Sequence, residues 1–314
     1  MTFTADAPLD SARDLSVIVA SVESAKRIRR ALESLLAATA GLRAEVIVVD
    51  AATDGSAEQA AQIQGVQVYR RPAGTLVPYL WADGIRRARG RVVATTTAHT
   101  VVGTAWAAAL VSAFDDPRVG GAGGPLRLAP EASALDAAVF FLRYSAFLPS
   151  CLREGVTTGE LAGDNAAYLR ADLLSAPDIL EDGFWEVAYH QRLRAQGRLL
   201  IGRLDAAAAF GDAYPFGVIA RHRFHHGRRF AAERISSNIR RRWQVLAAAP
   251  GVPLVLAARA VRRAYADAEH RGRVAMALPG LLALAGAWAA GEAAGALAGP
   301  GAAGESSRAP TRSP

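Results

Sequence analysis

Residues 94–100, ATTTAHT, end an apolar run with three threonines, an alanine, His99 and a fourth threonine. An imidazole nitrogen can ligate manganese-type ions. The stretch has no carboxylate, so it suits magnesium poorly, because that ion prefers hard oxygen ligands. A second concentration of chemistry lies at residues 221–243, RHRFHHGRRFAAERISSNIRRRW, with eight arginines and three histidines against one glutamate, Glu233. Guanidinium groups pair with phosphate oxygens bidentately. The segment therefore suits the phosphates of a nucleotide, a lipid headgroup or nucleic acid. A solvated basic helix face is the plainer alternative. Nucleic acid is the weakest of these, since the aromatics Phe224, Phe230 and Trp243 are few and no recognition motif accompanies them.

Those residues must be held by a fold. The chain has 314 residues, enough for one large core or a main domain plus an accessory segment. Its 51% hydrophobic and 21% charged content exclude a disordered chain and fall short of a polytopic membrane protein. The net charge of +7 resides mainly in the basic segment. Cys151, the single cysteine, leaves no intramolecular disulfide. MTFTADAPLDSARD is acidic and polar and has no apolar core of a secretory signal, so the expected location is the cytoplasm.

LSVIVA (15–20) reads as a buried strand, and AKRIRRALESLLAATA as a helix with Ile28, Leu32 and Leu35 on one face. AEVIVVD is a second strand ending in Asp50. TDGSAEQAAQIQ is a turn and helix with Asp54 or Ser56 as its N-cap. GVQVYRR, PYLWADGIRRARG and RVVATTT continue as strand, helix and strand. This alternation predicts parallel strands with right-handed crossovers, and such sheets bind ligands at the carboxyl ends of their strands. Glu23, Asp50, Arg71 and ATTTAHT all fall there. Beyond Pro117 come an apolar helical stretch (ALDAAVFFLRY), a strand-like GDNAAYLRAD, a helix from about Phe184 to Gly197 and a late strand, RLLIGRLDAAAAF.

The tail changes character. VPLVLAARAVRRAYADAEHRGR reads as an amphipathic helix. Residues 274–299 form a stretch of 26 residues with one charge, Glu292, long enough to span a bilayer. A spanning or re-entrant segment, an interfacial helix and a soluble packing helix all fit it.

In order, LSVIVAS, EVIVVDAATDGS, RVVATTTAHTVVGTAW, GDNAAYLR and GFWEVAYHQRLRAQG resemble the family 2 glycosyltransferases of the GT-A fold, over about residues 15–205. The resemblance implies an α/β fold: a Rossmann-like, mostly parallel central sheet flanked by helices, here followed by a C-terminal helical membrane-associating segment. The expected organisation is a disordered tail (1–14), a GT-A domain (15–215), a basic connector or lid (216–250), apolar membrane-associating helices (251–299) and a disordered tail (300–314).

The resemblance also implies roles. Displacement at an anomeric carbon needs a carboxylate to take the acceptor's proton, positive charge on the leaving diphosphate and a fixed nucleotide. Glu186 matches the family's base, with Trp185 where a first acid usually stands. An indole there can stack on a sugar or raise the glutamate's proton affinity by desolvation. Asp50 matches the aspartate that contacts the nucleotide base, with Glu23 and Asp83 as further nucleotide contacts. A turn-capping role is the alternative for Asp50. Asp164 and Asn165 match the acceptor-side strand. Thr97-Ala98-His99 aligns with the metal-binding D-x-D, leaving His99 as the one metal ligand, so a divalent cation, manganese rather than magnesium, is bound weakly or is dispensable. His226, Arg228 and Arg229, in a flexible segment that closes on the diphosphate, replace part of its charge, with anchoring to anionic lipid as the alternative. The implied enzyme moves a sugar, with inversion, from a nucleotide-sugar (UDP favoured) to a lipid-linked or cell-envelope glycan acceptor. It does so at the cytoplasmic face of an anionic membrane, with no nucleic-acid partner. The rival is a pseudo-glycosyltransferase that binds nucleotide or lipid without turnover.

Overall fold

In the computed structural model, residues 14–211, 215–235 and 239–299 are described; the two expected terminal tails lie outside them, apart from Asp14. All seven residues of β1 (Leu15–Ser21) are buried, as a central strand covered on both faces requires. The elements that follow are α1 (Ile28–Thr39), β2 (Ala44–Asp50), α2 (Ser56–Ala61), β3 (Val66–Arg70), α3 (Val77–Arg87), β4 (Val92–Thr97), β5 (Thr100–Val102), α4 (Trp106–Ser112), β6 (Val119–Gly123) and β7 (Leu126–Leu128). Next are α5 (Ala134–Tyr144), β8 (Asn165–Leu169), α6 (Arg170–Leu174), α7 (Pro177–Glu181), α8 (Glu186–Ala195), β9 (Leu199–Gly202) and β10 (Ala208–Phe210). Four helices complete the chain: α9 (Phe216–Ile235), α10 (Ile239–Ala248), α11 (Val252–Ala266) and α12 (Val274–Ala298).

The seven-stranded sheet has the order β3-β2-β1-β4-β8-β6-β9, and a smaller sheet has the order β5-β10-β7. Strands β1 to β4 pair in parallel, as their alternation with helices predicts. β8 runs antiparallel to both β4 and β6, because the chain re-enters the sheet beside the carboxyl end of β4 instead of crossing back to its start. The expected late strand is two short ones, separated by a 3-10 turn at Leu204–Ala206. On α1, Ile28, Leu32 and Leu35 are buried together, as their spacing requires. Neither Asp54 nor Ser56 caps α2. Gly55 holds that place with φ of 87°, and Asp54 instead accepts the Ser56 N–H at 3.1 Å.

The chain divides into two units, residues 1–127 with 151–210 and residues 128–150 with 211–314. This differs from an unbroken domain over 15–215: the excursion carrying α5 belongs with the C-terminal helices. The physical reason is a clasp at both of its ends. The Leu128 N–H donates to His270 Nε2 at 3.1 Å, which leaves the other ring nitrogen, Nδ1, as the donor to Asp267 at 2.8 Å. Asp267 also accepts the Ser150 N–H at 3.2 Å. Burial alone would raise its pKa, but the bonds from His270 and Ser150 outweigh it and hold the carboxyl down to about 2. His270 stacks on Phe140 with centroids 5.4 Å apart, and Arg273 donates to the carbonyls of Ala132 and Pro130.

Where the expected connector is described it carries the helices α9 and α10, and α9 packs along α12. Three glycines permit their close crossing. A Cβ on Gly227 would lie 2.3 Å from the Trp288 carbonyl oxygen, and one on Gly291 or Gly295 would lie 2.0 or 2.1 Å from the Phe224 or Arg228 carbonyl oxygen. α12 also packs on α5 and α11, and Glu292 is buried. One helix, Arg271–Ala298, is long and apolar enough to cross a membrane.

The clasp predicts that His270→Phe, which keeps an aromatic ring against Phe140, loses about 1–3 kcal/mol of stability by leaving the buried Leu128 N–H without its acceptor. A urea midpoint equal to wild type would contradict this.

Candidate active site

Strand register assembles the site. Ser21 lies opposite Asp50, Asp50 opposite Arg70, Ala20 opposite Thr97 and Thr96 opposite Asn165. The carboxyl ends of β1 to β4 and the start of β8 thus form one line in the first unit.

Asp50 is buried and heavily engaged. It accepts from the hydroxyls of Ser21 and Ser56, the latter at 2.7 Å, and from the Ala52 N–H at 3.0 Å. It braces the turn after β2, with three protein donors on a carboxylate that can accept about four hydrogen bonds. Asp54 ties that turn to the first loop by accepting the Ala25 N–H at 2.8 Å. In the same loop Glu23 is exposed and left-handed at φ 46°, a conformation that L side chains with a Cβ adopt only at some cost. Asp83 is buried and gripped by Arg71 at 2.7 Å and Arg87 at 3.2 Å. Arg87 also lies over the Tyr69 ring, 4.1 Å from its centroid. Asp83 therefore orients guanidinium groups, and the half-exposed Arg71 is a cation held at the strand ends.

In the β4–β5 turn, Thr97 and Thr100 hydroxyls are 3.3 Å apart and His99 is buried, its ring centroid 6.3 Å from that of Phe210. No cluster of three potential ligand side chains includes His99 among the described residues; the one such cluster is Asp267, Glu269 and His270. Both ring nitrogens of His270 already serve the clasp, so that group is structural. The donor set at His99 fits a cation that draws most of its ligands from substrate phosphate and water, not an all-protein cage.

Glu186 opens α8, where the helix N-terminus favours a carboxylate. Its carboxyl carbon lies 3.0 Å from the place a Cβ on Gly163 would take, and the Trp81 ring lies at the same distance. Trp81 is itself fixed by donating from Nε1 to the Thr96 carbonyl at 2.8 Å. The Glu186 carboxyl thus rests against the β4–β8 end of the line, beside the buried Asp164. Trp185 donates to the Asp182 carbonyl at 2.9 Å. Asn165 is saturated: it accepts from Trp106 Nε1 at 2.6 Å and donates to the carbonyls of Ala206 and Pro125 at 2.9 and 3.3 Å. It forms the floor of the site.

Sequence reasoning missed Trp81 and Gly163, and also a buried chain behind Glu186. Tyr168 bonds His190 Nε2 at 2.8 Å, and His190 Nδ1 bonds Glu160 at 2.6 Å. His190 stands one turn after Glu186 and fixes the rotation of α8. Burial, reinforced by the Glu186 charge, raises the Tyr168 pKa, so this hydroxyl stays protonated. The signal was the i,i+4 spacing of Glu186 and His190.

The expected lid residues sit on α9 in the second unit, within a continuous helix rather than a flexible segment. Arg228 Nε donates to the Gly299 carbonyl at 2.8 Å. Burial, then Arg223, lowers the His226 pKa to about 3, and burial with Arg143 lowers that of His222 to about 4. His226 is therefore an uncharged imidazole at neutral pH. Arg229 is half-buried on the same helix.

Gly163→Ala is expected to destabilise the protein by about 1–3 kcal/mol, because its methyl group meets Glu186 and Trp81 together. A thermal midpoint at the wild-type value would show that they can yield. The histidines set a pH dependence. Their folded pKa values are depressed, so their contribution is present above an unfolded pKa of about 6.5 and is lost as pH falls from there toward the folded values. His226→Gln should therefore flatten the fall in thermal midpoint between about pH 7 and pH 5; equal slopes in the two proteins would contradict it.

Comparison with known proteins accords with this geometry. The family model described as Glycosyl transferase family 2 matches residues 16–173, half of the chain. Among solved structures, that of GalNAc-T7 with UDP, GalNAc and Mn2+ is similar with a TM-score of 0.51 and 15% identity. The likeness covers 65% of this chain and 44% of that one, so the chain spans less than half the length of that neighbour. No curated protein matches. A mostly parallel sheet with its polar groups gathered at the strand ends, together with the family match over β1 to β8, places this chain in glycosyltransferase family 2, with the GT-A fold.

Proposed function

We propose that the chain transfers a sugar, with inversion, from a nucleotide-sugar to a lipid-linked or cell-envelope glycan acceptor at the cytoplasmic face of a membrane. UDP-sugars are the favoured donors. The observation that carries this reading is the Glu186 carboxyl, held against Gly163 and Trp81 at the line of strand ends. In the reaction the acceptor oxygen bonds to the anomeric carbon, the bond from that carbon to the diphosphate breaks, and the acceptor's proton passes to Glu186. The leaving nucleoside diphosphate carries away the negative charge. Arg71, oriented by Asp83, is the guanidinium at the strand ends that can meet phosphate oxygens. The turns braced by Asp50 and Asp54 frame the nucleotide. Trp185 and Asp164 lie on the Glu186 side, where the acceptor approaches. A divalent cation, manganese favoured, would use His99 and would supply charge to the departing diphosphate. The GalNAc-T7 structure, with UDP and Mn2+, lends support by likeness. Among the described residues, one helix long and apolar enough to cross a membrane, and a bent helix pair that passes the same test together, support a membrane location.

One observation favours a second reading, a nucleotide- or lipid-binding protein without turnover. Residues 97–99 offer no carboxylate, and the Asp50 carboxylate is engaged by three protein donors.

A panel of UDP-, GDP- and dTDP-sugars, with and without manganese, separates the two. Glu186→Gln is expected to lower donor turnover by about a hundredfold or more while UDP binding measured by calorimetry stays at the wild-type value. Full turnover by this variant would remove Glu186 as the base. A wild-type protein that binds UDP but neither hydrolyses nor transfers any sugar of the panel would establish the second reading.

A further inference from the structure

The second unit has a helix whose polarity is inverted. α11 buries Ala257, Ala260 and Ala264 and turns larger side chains outward: Leu254 is 66% exposed, Val255 49% and Tyr265 66%. A helix designed for water does the opposite, covering its bulky apolar residues with the rest of the unit. Just before it, on α10, Trp243 is also 66% exposed. α10 and α11 meet at a 64° bend across Pro250 and Gly251, with Pro253 just beyond it. Between Trp243 and Ala258 the 16 residues hold no charge, and arginines bracket them: 240–242 before, and Arg259, Arg262 and Arg263 after. No acidic residue lies anywhere in 239–266.

These features fit together in one medium. An exposed apolar patch marks an interaction surface. In sequence it is bracketed by arginines, whose long stems can lie along lipid while the guanidinium groups reach anionic headgroups. Sixteen residues rise about 24 Å even if straight, less than the roughly 30 Å of a bilayer core, and the bend shortens the reach further. The uncharged run is thus shorter than a bilayer core, and the bend suits an elbow that enters and returns. Its base is fixed on both sides: α11 packs on α12 and α5, and Arg242 donates to the Leu297 carbonyl at 3.1 Å. α12, by contrast, packs on four helices of this unit and buries Glu292.

We infer that the α10–α11 elbow is a wedge that enters one leaflet of an anionic lipid bilayer, with Trp243, Leu254 and Val255 in the acyl boundary and Arg259 and Arg262 at the phosphates. This deepens the membrane location proposed above and rests on it. α12, on which α11 packs, supports the wedge.

The test is flotation of the full-length protein with vesicles of phosphatidylcholine alone or of phosphatidylcholine mixed equally with phosphatidylglycerol. Wild type is expected to float with the anionic vesicles, less so at high salt, and the difference spectrum between wild type and Trp243→Phe should shift to the blue on binding. Leu254→Glu with Val255→Glu should lower the bound fraction by about tenfold, with circular dichroism unchanged. Leu278→Gln, which alters an exposed leucine of α12, should bind within about twofold of wild type. Wild type that floats with neither vesicle, or a double variant that floats as well as wild type, overturns the proposal. So does a double variant that changes only from dimer to monomer, which would assign the patch to a second copy of the chain. No donor sugar is involved, so failure of flotation leaves the transfer reaction untouched, and failure of transfer leaves flotation standing.

Discussion

The carboxyl group of Glu186 fills the space that a side chain at residue 163 would take, and the reactive end of the sheet depends on that contact. Glycine at 163 brings the carboxyl and the Trp81 ring against the β8 approach, and the Trp81 bond to Thr96 ties the pair to β4. The Tyr168–His190–Glu160 chain then prevents α8 from rotating about its axis, since His190 is buried one turn beyond the glutamate. As the base we propose, Glu186 must lie within hydrogen-bond reach of the proton it takes. Here that reach is set by packing on one side and a buried hydrogen-bond chain on the other, both on regular elements rather than on loops.

The same economy governs the polar groups along the strand ends. Asp50, Asp83 and Asn165 all have their oxygens occupied by protein donors. Such groups shape a site rather than react in it. Arg71, half-exposed, and Glu186, at the start of α8, carry opposite signs. A buried carboxylate left without donors would be costly, so the donors around Asp50 and Asp83 are also what allow them to lie so deep.

Much of the first unit could be read from sequence, because short continuous apolar runs and period-3.6 patterns report burial directly. β1, β2, β4 and the buried face of α1 follow from them. The direction of β8 could not be read, since a strand has the same side-chain period in either sense. Nor could the occupancy of Asn165 or Asp50: residue type gives hydrogen-bonding capacity, while its use depends on neighbours far away in sequence, such as Trp106 and Ala206. The resemblance that pointed to Glu186 said nothing of Trp81 and Gly163, whose importance lies in an absent side chain. Composition does not reveal the protonation of His222 and His226, which burial among arginines keeps neutral.

In the second unit the difficulty is of another kind. Alanine counts as apolar in any hydropathy sum, so α11 and α12 look alike by composition although they use their surfaces differently. α12 is the more apolar by sequence, but its glycines serve a backbone-to-backbone crossing with α9, and small-residue crossings of this sort hold helices together in water and in lipid alike. α11 is the less apolar, but its bulk points outward and its alanines point in. What separates a support from a wedge is therefore the direction of the large side chains, and this becomes visible only once the partners of each helix are in place.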